Sequence, residues 1–339
     1  MCFGTGRIMN ELPFFDGKFE EILGASPVEN LEEDLRSPGN IAALLATGKI
    51  NNKKARLLIE YFKTIDSLKN ASPLELEQVA NCGKVDFSLL KYLHLPENNG
   101  VQIVTYFDEA YPLGFKDLRD APLLLWVRGK IPKAKSVSIV GTREADDWGK
   151  QRTFEISRMS AENGYVVVSG LALGIDTQAH LGCLQGNGIT VAILACDVRF
   201  PTPKSNSQLA DRIIENGGCV IAEVPPGTET EAGNLIARNR LQAAWSDALI
   251  VTQSGVPSGT LHTVRFALEL GRKLLVLEPQ KESSKESYAG NYQLISEGNF
   301  DSKILGGNKE FQNLINQKRP CADIIIRNPD DFLNYLKLN

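Results

Sequence analysis

The chain has 339 residues, 42% hydrophobic and 23% charged, ordinary proportions for a globular protein with a large core, or with one large unit and one small. Its formal net charge of −4 argues against wholesale electrostatic attachment to nucleic acid or membranes, but not against a local basic groove. The six cysteines form no C-x-x-C pair, the three histidines fit no zinc spacing, and no apolar run can span a bilayer; with no signal-peptide core in Met1–Gly6, the expected setting is a reducing cytoplasm, with no metal, no cofactor and no membrane partner.

Residues 1–39, broken by Pro13, Pro27 and Pro38, read as a loop-rich lead. Residues 40–97 read as a small helical domain: Ile41, Leu44 and Leu45 share a face, then Ala55, Leu58, Ile59 and Phe62, then Leu74, Leu76 and Val79. Ser72-Pro73 followed by Glu75 is a helix start, and Leu89, Leu90 and Leu93 close the segment before Pro96. Gly48 to Lys54 reads first as a solvated helix connection and second as a phosphate-gripping hairpin.

Residues 98–339 read as an α/β unit. After the Pro96–Gly100 linker come a strand at 101–105 and a buried one at 123–127, with Trp126 in the core. From 136 onward strands are expected at 137–140, 166–168, 191–194, 220–222, 248–251, 274–277 and 323–326. Helices are expected between them at 151–161, 177–184, 207–215, 235–244 and 260–270, and residues 280–300 read as a polar surface loop. Short β-branched runs that end in glycine and restart as helices predict a Rossmann-like, mostly parallel sheet with helices on both faces. Its loops then gather at the carboxyl edge, where helix starts offer unpaired N–H groups to an anion.

Three loops on that edge and one basic helix segment carry candidate chemistry. Gly141-Thr142-Arg143 follows the first strand of the run, and Arg143 presents either a fork to a phosphate or a surface pair to Glu144, Asp146 or Asp147. Ser169-Gly170 through Gly174 to Asp176 is a glycine-and-hydroxyl nest. Asp176 is expected to cap the following helix, and His180, one turn on, could pair with it but reads better as structural. Arg238-Asn239-Arg240 is a second basic element, and Ser258-Gly259-Thr260 supplies either ligand donors or a plain N-cap. No catalytic constellation is visible, since Asp176, Glu223 and Asp247 have no evident base or nucleophile beside them, so the chain is not expected to be an enzyme.

At these residues the sequence resembles the DprA (Smf) family of DNA-processing proteins. The likeness rests on Ile139–Arg143, on Val168–Ala172 through Gly174-Ile175-Asp176 to His180, on Glu223 with Pro225–Thr228, on Gly233-Asn234 to Arg240, and on Ser258–Thr260, over about residues 40–330. The resemblance implies an extended Rossmann-like domain behind a helical one. It also implies single-stranded DNA as ligand, a homodimer, and loading of a RecA-type recombinase during natural transformation. By analogy the DNA groove would use Gly141, Arg143, Ser169, Gly170, Lys204 and Arg238 to Arg240, with Thr142, Gly174, Ser258, Gly259 and Thr260 in the same loops. The chain departs from the family at Leu173, where an arginine is usual, and at Ala195–Pro201, which follows the family's glycine-rich turn and Tyr-Pro pair only loosely. The winged helix carried by many members is expected to be missing, because the chain stops soon after Asp331-Phe332. A competing reading is a nucleotide sensor or a phosphoribohydrolase-like enzyme; those enzymes carry a catalytic Glu after a G-G-x-G-T loop, where this chain has His262. A third is a scaffold that contacts only a protein.

Overall fold

The computed structural model describes residues 34–46, 50–85, 100–281, 283–298, 300–317 and 320–338. The lead up to residue 33, the Gly48-Lys49 start of the lysine-rich connection, and the stretch expected to hold Leu89, Leu90, Leu93 and the Pro96 stop lie outside them.

Among the described residues four short helices come first: α1 (Pro38–Ala46), α2 (Asn52–Phe62), α3 (Ile65–Lys69) and α4 (Pro73–Ala80). Three begin on a side chain that answers the free N–H groups of the first turn. Asn51 accepts from Lys54, Thr64 from Ser67, and Ser72 from Glu75, whose carboxylate accepts in return from the Ser72 N–H at 2.8 Å. The apolar faces of these helices, including Ile41, Leu44, Leu58, Ile59 and Leu68, bury together with Leu124 and Trp126 of the sheet.

The sheet has nine strands: β1 (Gln102–Thr105), β2 (Leu124–Gly129), β3 (Ser136–Val140), β4 (Val166–Ser169), β5 (Thr190–Leu194), β6 (Cys219–Ala222), β7 (Ala248–Val251), β8 (Lys273–Leu277) and β9 (Ile324–Ile326). Their spatial order is β1-β2-β6-β5-β4-β3-β7-β8-β9. The run from β6 to β9 is parallel, while β2 lies antiparallel to both β6 and β1. The chain winds outward from β3 to β6, then returns to lay β7 on the other side of β3. That reversal opens a crevice outside the carboxyl ends of the strands. Every residue of β3, β4, β5, β6 and β7 is buried, as expected of parallel strands covered on both faces.

Helices α5 (Asp147–Glu162), α6 (Ile175–Gln185), α7 (Ser207–Glu215) and α12 (Pro329–Leu338) cover one face, with α1 to α4 beside them. Helices α8 (Ala232–Trp245), α9 (Gly259–Glu269), α10 (Ala289–Ile295) and α11 (Lys309–Gln317) cover the other. The stretch 280–300, expected to be a surface loop, instead contains α10. Asn291 anchors it: the buried amide donates to the carbonyls of Thr252 and Leu277 and accepts from the Ser254 N–H. Helices α11 and α12 also escape the sequence reading, although Phe332, Tyr335 and Leu336 of α12 close the core over Val137 and Ile139.

His180, on α6, does not pair with Asp176. Its Nδ1 lies 2.7 Å from the Thr190 hydroxyl, which donates to the Val167 carbonyl at 2.7 Å. The hydroxyl proton is thereby committed, so Nδ1 carries the ring proton and donates. Burial, helped by the charge of Arg238, pushes the His180 pKa down to about 3. An unfolded imidazole takes a proton near pH 6.5. Between pH 6.5 and 3 the unfolded chain therefore binds a proton that the folded chain refuses, and stability falls as pH drops through that window. Urea midpoints should decline from pH 7 to 5, and His180→Asn, which keeps an N–H donor but cannot titrate, should flatten much of that decline. An unchanged slope in the variant would show that this imidazole is protonated alike in both states.

Candidate nucleic-acid interface

The loops that follow β3, β4, β5 and β7 are tied to one another at the carboxyl edge. The Thr142 N–H donates to the Gln253 carbonyl beyond β7 at 2.8 Å, and the Ile175 N–H donates to the Thr142 carbonyl at 3.1 Å. Gly174, with φ +74°, lies so close to the Thr142 and Arg143 carbonyls that a Cβ would strike both. Gly141 is fenced likewise by Ile175 and the Gln253 carbonyl. Both positions require glycine for close approach. The loop after β5 is moored to the loop after β4 by Asn206, whose amide donates to the Leu171 carbonyl (2.8 Å) and the Thr177 hydroxyl (2.9 Å). Leu171 itself is fully buried and holds φ +63°, a left-handed conformation that costs a non-glycine residue roughly 1–3 kcal/mol unless its surroundings enforce it.

At the centre lies Arg238, reaching from α8 across Gly170. The guanidinium is packed so tightly on Gly170 that a Cβ there would collide with it and with the Asp176 carboxylate. Arg238 is 6% exposed, and its Nε and Nη1 have no hydrogen-bond acceptor. The nearest carboxylate oxygen, Asp176 Oδ2, is 3.9 Å away. Asp176 does not cap α6 as expected. Its Oδ2 accepts instead from the N–H groups of Gly170 (3.2 Å) and Ala172 (3.3 Å), so the carboxylate closes the loop before the helix. Burial pushes the Asp176 carboxyl up, against the pull of Arg238 and these two N–H groups. Burial also pulls the Arg238 pKa down, with Asp176 opposing and the nearby charge of Arg143 adding to the fall. A charged donor buried without an acceptor costs about 1–3 kcal/mol or more.

Arg143 stands exposed at the tip of the loop after β3 and pairs with none of the acids expected as alternatives. Asp146 caps α5 through the Gly149 N–H and takes the Tyr288 hydroxyl, and Asp147 pairs with Lys150. Lys204 is exposed on a single 3₁₀ turn, Lys204–Asn206, directly before α7. Leu173, half exposed, occupies the tip of the loop after β4, so no cation stands there.

Several expected site residues are engaged elsewhere. The Ser169 hydroxyl is fully buried and donates to the Ile139 carbonyl at 2.7 Å, which leaves it no lone role at an anion. Thr142 Oγ1 accepts from the Glu144 N–H within its own turn. Ser258 is the N-cap of α9, accepting from the Thr260 N–H, and Thr260 is buried. Asn239 donates to the Gly259 carbonyl at 3.3 Å and so ties α8 to the start of α9. Arg240 turns away from the rim altogether: it is buried between Asp120 (3.0 Å) and Glu223 (2.6 Å). The sequence reading left Glu223 without a partner, and Asp120 lies 120 positions from Arg240, beyond any local signal. Asn206 was likewise unmarked; only its place two residues after Lys204 pointed toward the rim. Arg199 is held in a two-pronged grip by Asp197. Burial pushes the Asp197 carboxyl up, but Arg199 and the Gly227 N–H outweigh it and hold it below the usual range.

His262 lies on the first turn of α9, half-buried, with Nδ1 lacking a partner; burial, then the charge of Arg265, pulls its pKa down. Among the described residues no group of three or more His, Cys, Asp or Glu could hold a metal ion, and no helix is long and apolar enough to cross a membrane.

Comparison with known proteins identifies the family of the chain. The model of the family described as "DNA recombination-mediator protein A" matches residues 102–312. Protein Smf of Synechocystis sp. is 31% identical over 257 residues, 71% of this chain but only 64% of that protein's length. DNA processing protein DprA of Bacillus subtilis is 30% identical over 258 residues, 71% of this chain and 85% of that protein. Among solved structures, DNA processing protein A from Streptococcus pneumoniae shares the fold, with a TM-score of 0.66 at 23% identity over 88% of this chain and 97% of that one. A structure described as giving "insights into the unique single-stranded DNA binding mode of DNA processing protein A from Helicobacter pylori" is 31% identical, with a TM-score of 0.51 over 64% of this chain and 95% of that one. A family model that covers β1 to β8 and runs into the start of α11, together with relatives about 30% identical over most of the chain, places this protein in the DNA recombination-mediator protein A family, whose members are named DprA and Smf.

Proposed function

We propose that this chain binds single-stranded DNA along the carboxyl edge of its sheet and hands the strand to a RecA-type recombinase, acting by binding rather than by chemistry. One observation carries the binding step: Arg238, a buried cation with two unanswered N–H groups, lies against Gly170 and beside the exposed, unpaired Arg143. A phosphate is the counter-anion that this under-compensated cation lacks, and a charge-assisted hydrogen bond from the guanidinium contributes about 1.5–3 kcal/mol. Gly141 and Gly174 let the backbone close around that point, and Lys204 extends the positive rim along the loop after β5. Ser169, Arg240, Ser258 and Thr260 support the rim rather than touch the strand. The Helicobacter pylori relative is described as binding single-stranded DNA, and the family description names recombination mediation. The recombinase partner, a homodimeric assembly, a cytoplasmic setting and a division into a helical unit (40–97) and a sheet unit (98–339) belong to the same proposal and rest on the family likeness.

Binding of a fluorescent oligonucleotide, measured by anisotropy across a salt series, tests the reading. The logarithm of affinity should fall linearly with the logarithm of salt, with about 0.7 of slope for each phosphate held. Arg143→Ala should lower the slope by about that amount, and an unaltered slope would remove Arg143 from the contact. Gly170→Ala should weaken binding about tenfold, roughly 1.4 kcal/mol, by displacing the Arg238 guanidinium while the circular dichroism spectrum stays native. A variant that binds like the original would show that Arg238 takes no part.

A further inference from the structure

A second cationic surface lies on the same edge of the sheet, beyond β6. Because β2 runs antiparallel to both its neighbours, β1 points the same way as the parallel strands, and its end delivers Tyr106 and Phe107 to the carboxyl edge. Three cations surround these rings. The Arg56 guanidinium lies 5.3 Å from the Tyr106 centroid, and its Nη1 donates to the Tyr106 hydroxyl at 3.3 Å. Lys116 Nζ lies 4.8 Å from the Tyr106 centroid and 5.8 Å from that of Tyr111. Arg36 lies 5.3 Å from the Phe107 centroid.

None of the three makes an ion pair with a described residue, although carboxylates are close in the chain. Asp34 accepts from the Arg36 backbone N–H, and Asp108 from that of Thr105. Asp117 pairs with Arg272, and Asp120 with Arg240. Glu60, one turn beyond Arg56 on α2, does not reach it. Asp108, Asp117 and Asp120 are thus turned to other partners and Asp34 to the Arg36 backbone, and the three guanidinium and ammonium groups lie against ring faces. The start of α2 is fixed to this edge by Asn52, whose side chain accepts from the Leu123 N–H at 3.1 Å.

We propose that this platform of Arg36, Arg56 and Lys116 around Tyr106 and Phe107 is a second contact for the same single strand, taking phosphates on the cations as the strand leaves the Arg238 pocket. The inference rests on the DNA-binding reading above. Charge complementarity and continuity argue for this occupant: β4 and β1 are four strand spacings apart, about 19 Å at roughly 4.8 Å each, with no change of edge between them. Cations paired with aromatic rings are also the means by which proteins hold single strands without regard to sequence.

Oligonucleotide length separates the two contacts. The full chain and the double variant Arg56→Gln, Lys116→Gln, which keeps the polar side-chain stems, are titrated with thymidine oligomers of about six and about thirty nucleotides. The variant should bind the short oligomer as the original does. It should lose about tenfold on the long one, with the salt slope lower by about 1.4, two contacts at 0.7 each. Lys116→Glu alone, on an exposed residue, should give a loss in the same direction. Equal affinity of the double variant for the long oligomer overturns the platform, and so does an equal loss at both lengths. Failure of the unaltered chain to bind either oligomer defeats the parent reading and takes this one with it, a result distinct from a platform that fails while short oligomers still bind.

Discussion

The candidate interface depends on the contact between the Arg238 guanidinium and the bare Cα of Gly170. A cation nine-tenths removed from water must be answered by an anion or hydrogen-bond acceptors. Here the answer is partial. Asp176 lies just beyond hydrogen-bond distance and gives its oxygen to two backbone N–H groups instead. The site is therefore arranged around a charge held ready by its surroundings, and the strain at Leu171 and the mooring at Asn206 serve the same loop.

Arg240, two residues along α8, shows the contrasting use of the same side chain. Successive residues on a helix are set about 100° apart, so positions 238 and 240 project in directions that differ by about 200°. One guanidinium reaches the rim; the other enters a cage of two carboxylates, where burial lowers its pKa and Glu223 and Asp120 more than restore it. Buried ion pairs of this kind contribute little net stability but are costly to break. The Arg240 cage fixes α8 against the segment between β1 and β2 that contains Asp120, and so sets where Arg238 emerges.

Much of the fold was legible in the sequence for a simple reason. Strands buried on both faces, such as Val166–Ser169 and Ala248–Val251, are almost continuously apolar and end at glycines or small polar residues, so their positions stand out. Helix α10 did not stand out: it has seven residues, sits in a polar stretch, and is fixed by the buried Asn291 amide together with the single fully buried apolar side chain Leu294. The same limit applies at the site. The Gly141 and Gly174 requirements could be anticipated as turns, and Arg143 as either a free fork or a surface pair. That the Ser169 hydroxyl was already committed could not, because its partner is the Ile139 carbonyl, 30 residues away, whereas the N-cap role of Ser258, which answers an N–H two residues on, was one of the two readings the sequence offered.

The polarity of one edge hairpin has a wider effect. Strand direction reverses twice between β6 and β1, and an even number of reversals restores the original sense. Had a single strand, or three, been added at that margin, Tyr106 and the start of α2 would have come out on the far rim, behind the amino ends of the strands. With two, the helical region and the loops after β3, β4, β5 and β7 share one horizon, and a linear polymer can pass from one to the other without crossing a face of the sheet.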